Sequence, residues 1–143
     1  MVPMRVLVVE DDPILALTAV LTLESAGYDV AGPAYDCAQA LGFAGASRPD
    51  FVLMDINLAG CDEGLYLARD LWVLHGIPSL FVSGQLSTAR ANKGDALGLL
   101  RKPYEPQELV DAAAVVQAVL AGSAVPPPRV PGAMELFDGP TQI

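Results

Sequence analysis

Short apolar runs alternate with longer segments of helical periodicity along the first 121 of the chain's 143 residues. The runs are short enough to be buried strands, and we predict strands at 5–9, 28–31, 51–54, 77–82 and 96–100. The segments that follow have the caps, glycine stops and apolar faces of helices, predicted at 13–26, 36–46, about 62–74, within 84–95 and about 106–121. A strand followed by a helix five times over predicts an α/β fold, with a five-stranded parallel sheet covered by helices on both faces.

Proline and glycine residues mark several of these boundaries. Asp12 precedes Pro13, a pair that favours a capped helix start, although Asp12 could instead be an additional acid of a site. Gly27 is a typical stop for the first helix. The Gly32-Pro33 pair is expected to break the second strand soon after it begins.

Residues 122–143 differ in composition from the rest of the chain. They contain five prolines and several glycines, and they end with the apolar Met134 to Phe137. We interpret them as an extended appendage that forms neither helix nor sheet. The chain is therefore divided into a domain at 1–121 and a proline-rich tail at 122–143, and we expect no DNA-binding or catalytic output domain.

Charge and hydropathy exclude some classes of partner. The formal net charge is −9 and the isoelectric point is near 4.3, which disfavours binding to nucleic acid or to an anionic membrane surface. Mean hydropathy is high, at +0.41, but the apolar stretch at 109–121 is shorter than the roughly 20 residues that span a bilayer. Cys37 and Cys61 lack metal-ligand spacing, and no signal peptide is recognisable at the start. We expect a cytoplasmic protein.

Polar side chains with complementary chemistry stand where the apolar runs end. Glu10 and Asp11 follow the first predicted strand, Asp55 the third, Ser83 the fourth and Lys102 the fifth. Because the carboxyl ends of parallel strands meet at one crevice, these side chains are expected to converge. Three carboxylates, a hydroxyl and an ammonium suit a divalent cation and a phosphoryl group, which predicts a phosphorylatable aspartate.

This combination resembles the receiver domain of two-component response regulators, over residues 4 to 121. The resemblance implies a doubly wound, flavodoxin-like fold with strand order 2-1-3-4-5. It implies that Asp55 is the phosphoacceptor and that Asp11 binds Mg²⁺ directly. Glu10 would orient a metal-bound water, and Asn57 would contribute its backbone carbonyl.

The same resemblance assigns roles to the last two strand ends. The hydroxyl of Ser83 would bond a phosphoryl oxygen, and Lys102 would pair with the phosphoryl group. The Lys102-Pro103 peptide would be cis, as is usual in the family. The donor would be a histidine kinase or a histidine phosphotransfer protein, and the chain would catalyse only its own phosphorylation and dephosphorylation.

Two departures from common receivers concern the switch and the subgroup. Leu99 stands where the family often has a Tyr or Phe that swings inward on phosphorylation, so we do not assign this aromatic switch to the chain. Tyr104 is a candidate substitute. The Phe81-Val82-Ser83-Gly84 segment and the Val30 to Ala34 segment resemble the FAT-GUY subgroup, whose members are often single-domain. Gln85-Leu86 departs from that subgroup's pattern.

The sequence does not decide which surface would pass the phosphorylation signal on to another protein. The first and last helices are apolar nearly all round, which favours a homodimer or a docked partner on the last helix. Alternatively, the tail folds back and covers this surface, with Leu136 and Phe137 as anchors. The leading hypothesis is a stand-alone response regulator that switches a protein–protein interaction, and the alternative is a phosphorelay intermediate or phosphate sink.

Enzyme classes with a similar fold fit less well. Haloacid-dehalogenase-like phosphatases also use a strand-end aspartate, but they need an acid two residues later, where this chain has Asn57. A dinucleotide-binding domain would need a GxGxxG motif after the first strand, and none is present.

Overall fold

A computed structural model describes residues 3–58, 63–122 and 129–140 of the chain. The strands are β1 (Arg5–Val9), β2 (Asp29–Ala34), β3 (Phe51–Asp55), β4 (Ser79–Ser83), β5 (Gly98–Arg101) and β6 (Met134–Leu136). The helices are α1 (Pro13–Ser25), α2 (Cys37–Ser47), α3 (Glu63–His75), α4 (Leu86–Ala91) and α5 (Pro106–Ala121), with a 3-10 turn at Lys93–Asp95. The predicted alternation of strands and helices is confirmed.

The strands form one sheet in the order β2-β1-β3-β4-β5-β6. The first five are parallel, so the predicted order 2-1-3-4-5 is confirmed, and β6 is added antiparallel to β5. Every residue of β3 and β4 is buried, as expected for central strands with helices on both faces.

Alternate strand residues belong to two separate apolar cores. One core packs the sheet against α2, α3 and α4, and it contains Leu7, Met54 and Phe81. The other packs the opposite face against α1 and α5. The sheet is therefore held rigid from both sides, and this fixes the positions of its carboxyl ends.

The two apolar helices α1 and α5 have different environments. α5 buries a broad stripe of small and branched residues, leaving Val119 and Leu120 as its exposed large apolar side chains. α1 exposes Ile14, Leu15, Leu17 and Leu21. Of these two helices, α1 therefore carries more exposed apolar surface than α5, and the expected homodimer through α5 stays a prediction. Among the described residues, no helix combines the length and apolar character needed to span a membrane.

The second strand does not break at Gly32-Pro33. β2 continues to Ala34 through a bulge, because Gly32 adopts a φ of 94° that other residues rarely reach. A Cβ at Gly32 would lie 3.0 Å from the Val8 carbonyl oxygen. The predicted break is therefore wrong: the glycine bends the strand and pairing resumes beyond it.

The tail also departs from its prediction. Residues 134–136 form β6, so the interpretation of 122–143 as neither helix nor sheet is wrong for this part. The cluster Pro126 to Pro128 lies outside the described residues. Residues 132–139 contain no proline, so nothing prevents a strand there once a neighbouring edge supplies hydrogen-bond partners.

Candidate phosphoacceptor site

The carboxyl ends of four strands bring the predicted polar residues to one edge of the sheet. Glu10 follows β1, Asp55 is the last residue of β3, Ser83 is the last of β4, and Lys102 follows β5. The end of β4 is tied to the end of β5 by the Lys102 N–H, which donates to the Ser83 carbonyl oxygen at 3.0 Å. The predicted convergence is what the structure contains.

Three carboxylates form a compact cluster. One oxygen from each of Glu10, Asp11 and Asp55 lies within 4.8 Å of the other two. Glu10 and Asp55 are buried, whereas Asp11 is exposed. Like charges this close repel one another unless a cation or a proton intervenes. The donor set consists of hard oxygen atoms, which fits Mg²⁺.

Lys102 supplies a positive charge to this cluster. Its Nζ lies 2.8 Å from Glu10 Oε1 and 3.6 Å from Asp55 Oδ2. Burial alone would lower the pKa of Lys102, but the hydrogen bond to Glu10 and the charge of Asp55 raise it overall. Lys102 is therefore protonated at neutral pH, with its positive charge beside Asp55.

Glu10 is held from two sides. Its Oε1 accepts from Lys102 and its Oε2 accepts from the Asp12 N–H at 3.2 Å. Burial, together with the neighbouring Asp55, raises the pKa of Glu10 to about 7, against the lowering effect of Lys102. A cation in the cluster would favour the charged form of this carboxyl.

Asn57 holds the orientation of Asp55. Its backbone N–H donates to Asp55 Oδ1 at 3.1 Å, which leaves Asp55 Oδ2 towards Lys102. Asn57 Oδ1 is one of two buried side-chain polar atoms in the described residues without a hydrogen-bond partner. Such an atom is usually satisfied by water or an ion.

Ser83 is buried, with 2% of its surface exposed. Its Oγ accepts a 2.8 Å hydrogen bond from the Gln85 N–H, and Gln85 is the residue that precedes α4. A hydroxyl can still donate while it accepts, so Ser83 can bond an acceptor in the site. The sequence carries no signal for this contact, because it depends on the turn that enters α4.

Asp12 is a helix cap and has no ligand position in the cluster. Its Oδ1 accepts from the N–H groups of Ile14 and Leu15, at 2.9 and 3.2 Å. The predicted cap is confirmed, and the alternative reading of Asp12 as an additional acid is not needed to complete the site.

Three further features lie around the site. Gly64, at the start of α3, lies so close to Asp55 that a Cβ would overlap the Asp55 backbone oxygen. Burial and the charges of Glu10 and Asp55 raise the pKa of Tyr104 to about 12, so its hydroxyl stays neutral. The Lys102-Pro103 peptide is cis, as predicted. The role of Gly64 had no signal beyond a glycine near a predicted helix start.

A cavity of about 390 Å³ opens next to the cluster, between α1 and the segment after β5. Its lining includes Glu10, Thr18, Lys102 and Tyr104, together with the exposed Leu15. Glu10 and Lys102 are thus reachable from the α1 side of the molecule.

Comparison with known proteins gives consistent matches. The family model of the response regulator receiver domain matches residues 6–114. The DNA-binding response regulator MtrA of Mycolicibacterium smegmatis is 36% identical over 109 residues, covering 74% of this chain and 47% of MtrA. The chain spans about half the length of the curated relatives it matches.

Solved structures agree with the sequence match. The signal receiver domain of a modulated diguanylate cyclase from Desulfovibrio desulfuricans is similar with a TM-score of 0.70 and 33% identity, covering 84% of this chain and 99% of that one. The receiver domain of NtrX from Brucella abortus gives a TM-score of 0.71 and 27% identity, covering 82% and 99%.

Proposed function

Because the chain belongs to the response regulator receiver domain family, we propose that it accepts a phosphoryl group on Asp55 and thereby switches a protein–protein interaction. The donor is a phosphorylated histidine of a histidine kinase or phosphotransfer protein. The observation that carries the proposal is the position of Asp55, buried between two further carboxylates and 3.6 Å from the Lys102 ammonium.

The transfer exchanges one bond to phosphorus for another. An Asp55 carboxylate oxygen attacks the phosphorus, a P–O bond forms, and the P–N bond breaks with its electron pair returning to the imidazole. Two anions approach each other in this step, so the main requirement is to neutralise charge and hold geometry. Lys102 supplies charge, and the Asn57 N–H holds the carboxylate in place.

Asp11 and Asp55 are the proposed direct ligands of a Mg²⁺ ion, with the Asn57 backbone carbonyl as a further ligand and Glu10 acting through a water. The ion, when bound, neutralises negative charge on the transferring phosphoryl oxygens. After transfer, the Ser83 hydroxyl donates to one phosphoryl oxygen and Lys102 pairs with another. In the resting protein Lys102 is held by Glu10, so it must move only a short distance.

Incubation with Mg²⁺ and acetyl phosphate, followed by intact-mass measurement, tests this function. We expect one phosphoryl adduct on the native chain and none on Asp55→Asn. Asp36→Asn is the matched control, because it makes the same chemical change at a helix cap, where Asn caps as well as Asp. An adduct that persists in Asp55→Asn would show that another residue accepts the phosphoryl group.

A second candidate is a phosphorelay intermediate or phosphate sink, favoured by Leu99. Leu99 is buried in the core beside α4. Other receivers often have at this position an aromatic side chain that swings inward on phosphorylation, and a leucine cannot make the same movement. A relay or sink needs phosphorylation but no change in conformation. Backbone hydrogen exchange that is identical with and without the adduct would favour this candidate over the switch.

A further inference from the structure

The outer edge of β5, the strand that leads to Lys102, is covered by the chain's own tail. The antiparallel register pairs Gly98 with Leu136, Leu99 with Glu135, and Leu100 with Met134. Two more hydrogen bonds extend the pairing, from Arg101 N–H to the Ala133 oxygen at 2.8 Å and from Phe137 N–H to the Leu97 oxygen at 2.9 Å. An edge strand that pairs in this way is a template for any extended segment of suitable shape.

Two glycines allow the tail backbone to approach the rest of the chain closely, one on β5 and one where the tail passes the 3-10 turn at 93–95. A Cβ on Gly98 would lie 2.5 Å from the Glu135 carbonyl oxygen, and a Cβ on Gly139 would lie 2.5 Å from the Gly94 oxygen. Neither glycine could be replaced by alanine without moving the neighbouring backbone. Gly132, in the same tail segment, would meet nothing within 4 Å, so the restriction is specific to the contact.

The side chains of the segment anchor on both faces of β5. Ala133 and Met134 are buried in the core shared with α1 and α5. Phe137 packs, half-buried, against the opposite core. Glu135 forms an ion pair with Arg90 of α4, at 3.0 Å. The surface thus selects an extended segment with an apolar residue followed by an acidic one.

The contact is also suited to exchange. β6 has three residues, Leu136 is 42% exposed, and both members of the Arg90–Glu135 pair are about half exposed. Short elements with few buried contacts open locally more readily than central strands do.

Two segments of the chain connect the phosphoacceptor site to this contact. The first goes from Ser83, whose Oγ holds the Gln85 N–H, into α4 and on to Arg90. The second is β5 itself, where Lys102 directly follows Arg101, the residue bonded to Ala133. Rotation of Ser83 and movement of Lys102 towards a phosphoryl group would therefore disturb both attachments of the tail.

We propose that the outer edge of β5 is a strand-docking surface with residues 133–137 as its resident strand. Phosphorylation of Asp55 loosens this strand, so that the edge can accept an extended apolar–acidic segment of another protein. The loosening rests on the proposed function; the docking surface itself does not.

Hydrogen exchange on the full chain tests the resident strand. The amides of Arg101 and Phe137 donate across the contact, so they report its opening. Gly98→Ala is expected to speed their exchange about tenfold or more, whereas Gly132→Ala leaves it within about twofold. Gly139→Ala gives the same test without altering β5. Unchanged exchange at both amides in Gly98→Ala and Gly139→Ala would overturn the proposal.

A labelled peptide of residues 129–140 tests the surface directly. We expect weak binding to the native chain, and binding at least about tenfold tighter to Met134→Asp, whose resident strand is weakened while the edge is intact. Adding Gly98→Ala to Met134→Asp should abolish this binding. Failure of the peptide to bind Met134→Asp would overturn the docking surface.

The link to phosphorylation is tested with Mg²⁺ and beryllofluoride, with fluorine NMR reporting whether the adduct forms. With the adduct present, faster exchange at Arg101 and Phe137 and tighter peptide binding to the native chain would support the link. An adduct with neither change would overturn the link and leave the proposed function standing. Absence of the adduct would overturn the proposed function and the link together, while the Met134→Asp result would still decide the docking surface.

Discussion

β5 takes part in two regions of the molecule that are built in opposite ways. At its carboxyl end, Lys102 joins a cluster in which Glu10 and Asp55 are almost fully buried. Along its outer edge, the tail is held by backbone hydrogen bonds and by a half-exposed ion pair between Arg90 and Glu135. In the buried cluster, carboxylates that are costly to remove from water are held close together by the rigid sheet. At the tail contact, the interactions are weak enough to open and close locally.

This difference predicts how each region responds to mutation. A change in the buried cluster should alter chemistry and stability strongly, because an unpaired buried charge is costly. A change at the tail should act on a local equilibrium and leave the rest of the fold intact. The following variants test the contrast, beginning with the largest expected effect.

Replacement of the central carboxylate should have an all-or-none effect on chemistry. Asp55→Asn keeps the side-chain shape but replaces the nucleophilic carboxylate by a neutral amide, so we expect no adduct from acetyl phosphate by intact mass. We also expect the amides of Arg101 and Phe137, which donate across the contact between β5 and the tail, to exchange as they do in the native chain without a phosphodonor, because this contact does not involve Asp55. If these amides exchanged faster in Asp55→Asn alone, the tail contact would depend on the buried cluster, and the two regions would not respond separately to mutation.

Loss of the lysine charge should have the largest effect on stability. Lys102→Met leaves Glu10 buried without its cationic partner. We expect the free energy of unfolding to fall by about 2–3 kcal/mol in urea titrations without Mg²⁺ at about pH 9, where Glu10 of the native chain is charged, and by less near neutral pH, where Glu10 takes up a proton instead. Combining it with Glu10→Gln should recover most of this loss. Lys93→Met, at an exposed position, is the control and should change stability little. Equal losses in the single and double variants would mean that the ion pair is not the cause.

Magnesium should stabilise the chain through the acidic cluster. At about ten times its dissociation constant, a ligand that binds only the folded state adds roughly 1.4 kcal/mol, which is measurable as a rise in Tm. Asp11→Asn should remove most of this rise, because Asp11 contributes an exposed carboxylate to the cluster. Asp12→Asn should retain it, because Asn also caps α1. The same rise in Asp11→Asn as in the native chain would place the ion elsewhere.

The site could be predicted from sequence because each of its residues follows its own apolar run. Asp55 and Lys102 are far apart in the chain, yet each is placed by a strand that can be recognised locally. The parallel order of the sheet then brings the strand ends together without any further information. Side-chain partners were harder to predict: the contact between Ser83 and Gln85 depends on the turn that enters α4.

The tail could not be predicted in the same way. β6 is a three-residue strand whose pairing exists only because β5 offers an open edge, and Arg90 and Glu135 are 45 residues apart. The signals that were present, Gly98 and Gly139, read from sequence as ordinary glycines, since their restriction arises from contacts between distant segments. The bulge at Gly32 was missed for a similar reason: a glycine–proline pair is typical of a break, and only the neighbouring strand shows that pairing continues.

The smallest effect is expected at the exposed ion pair of the tail. Arg90→Ala should lower the free energy of unfolding by only about 0.5 kcal/mol, because solvent screens a half-exposed pair. The difference should shrink further in about 1 M salt, where the screening length is only a few ångströms. Arg69→Ala, on the exposed side of α3, is the matched control for loss of an arginine. Hydrogen exchange at Phe137 should nevertheless be faster in Arg90→Ala than in the control, because the pair acts on the tail and not on the whole fold. A loss as large as that of Lys102→Met would show that the tail is part of the cooperative core, and the contrast between the two sides of β5 would no longer hold.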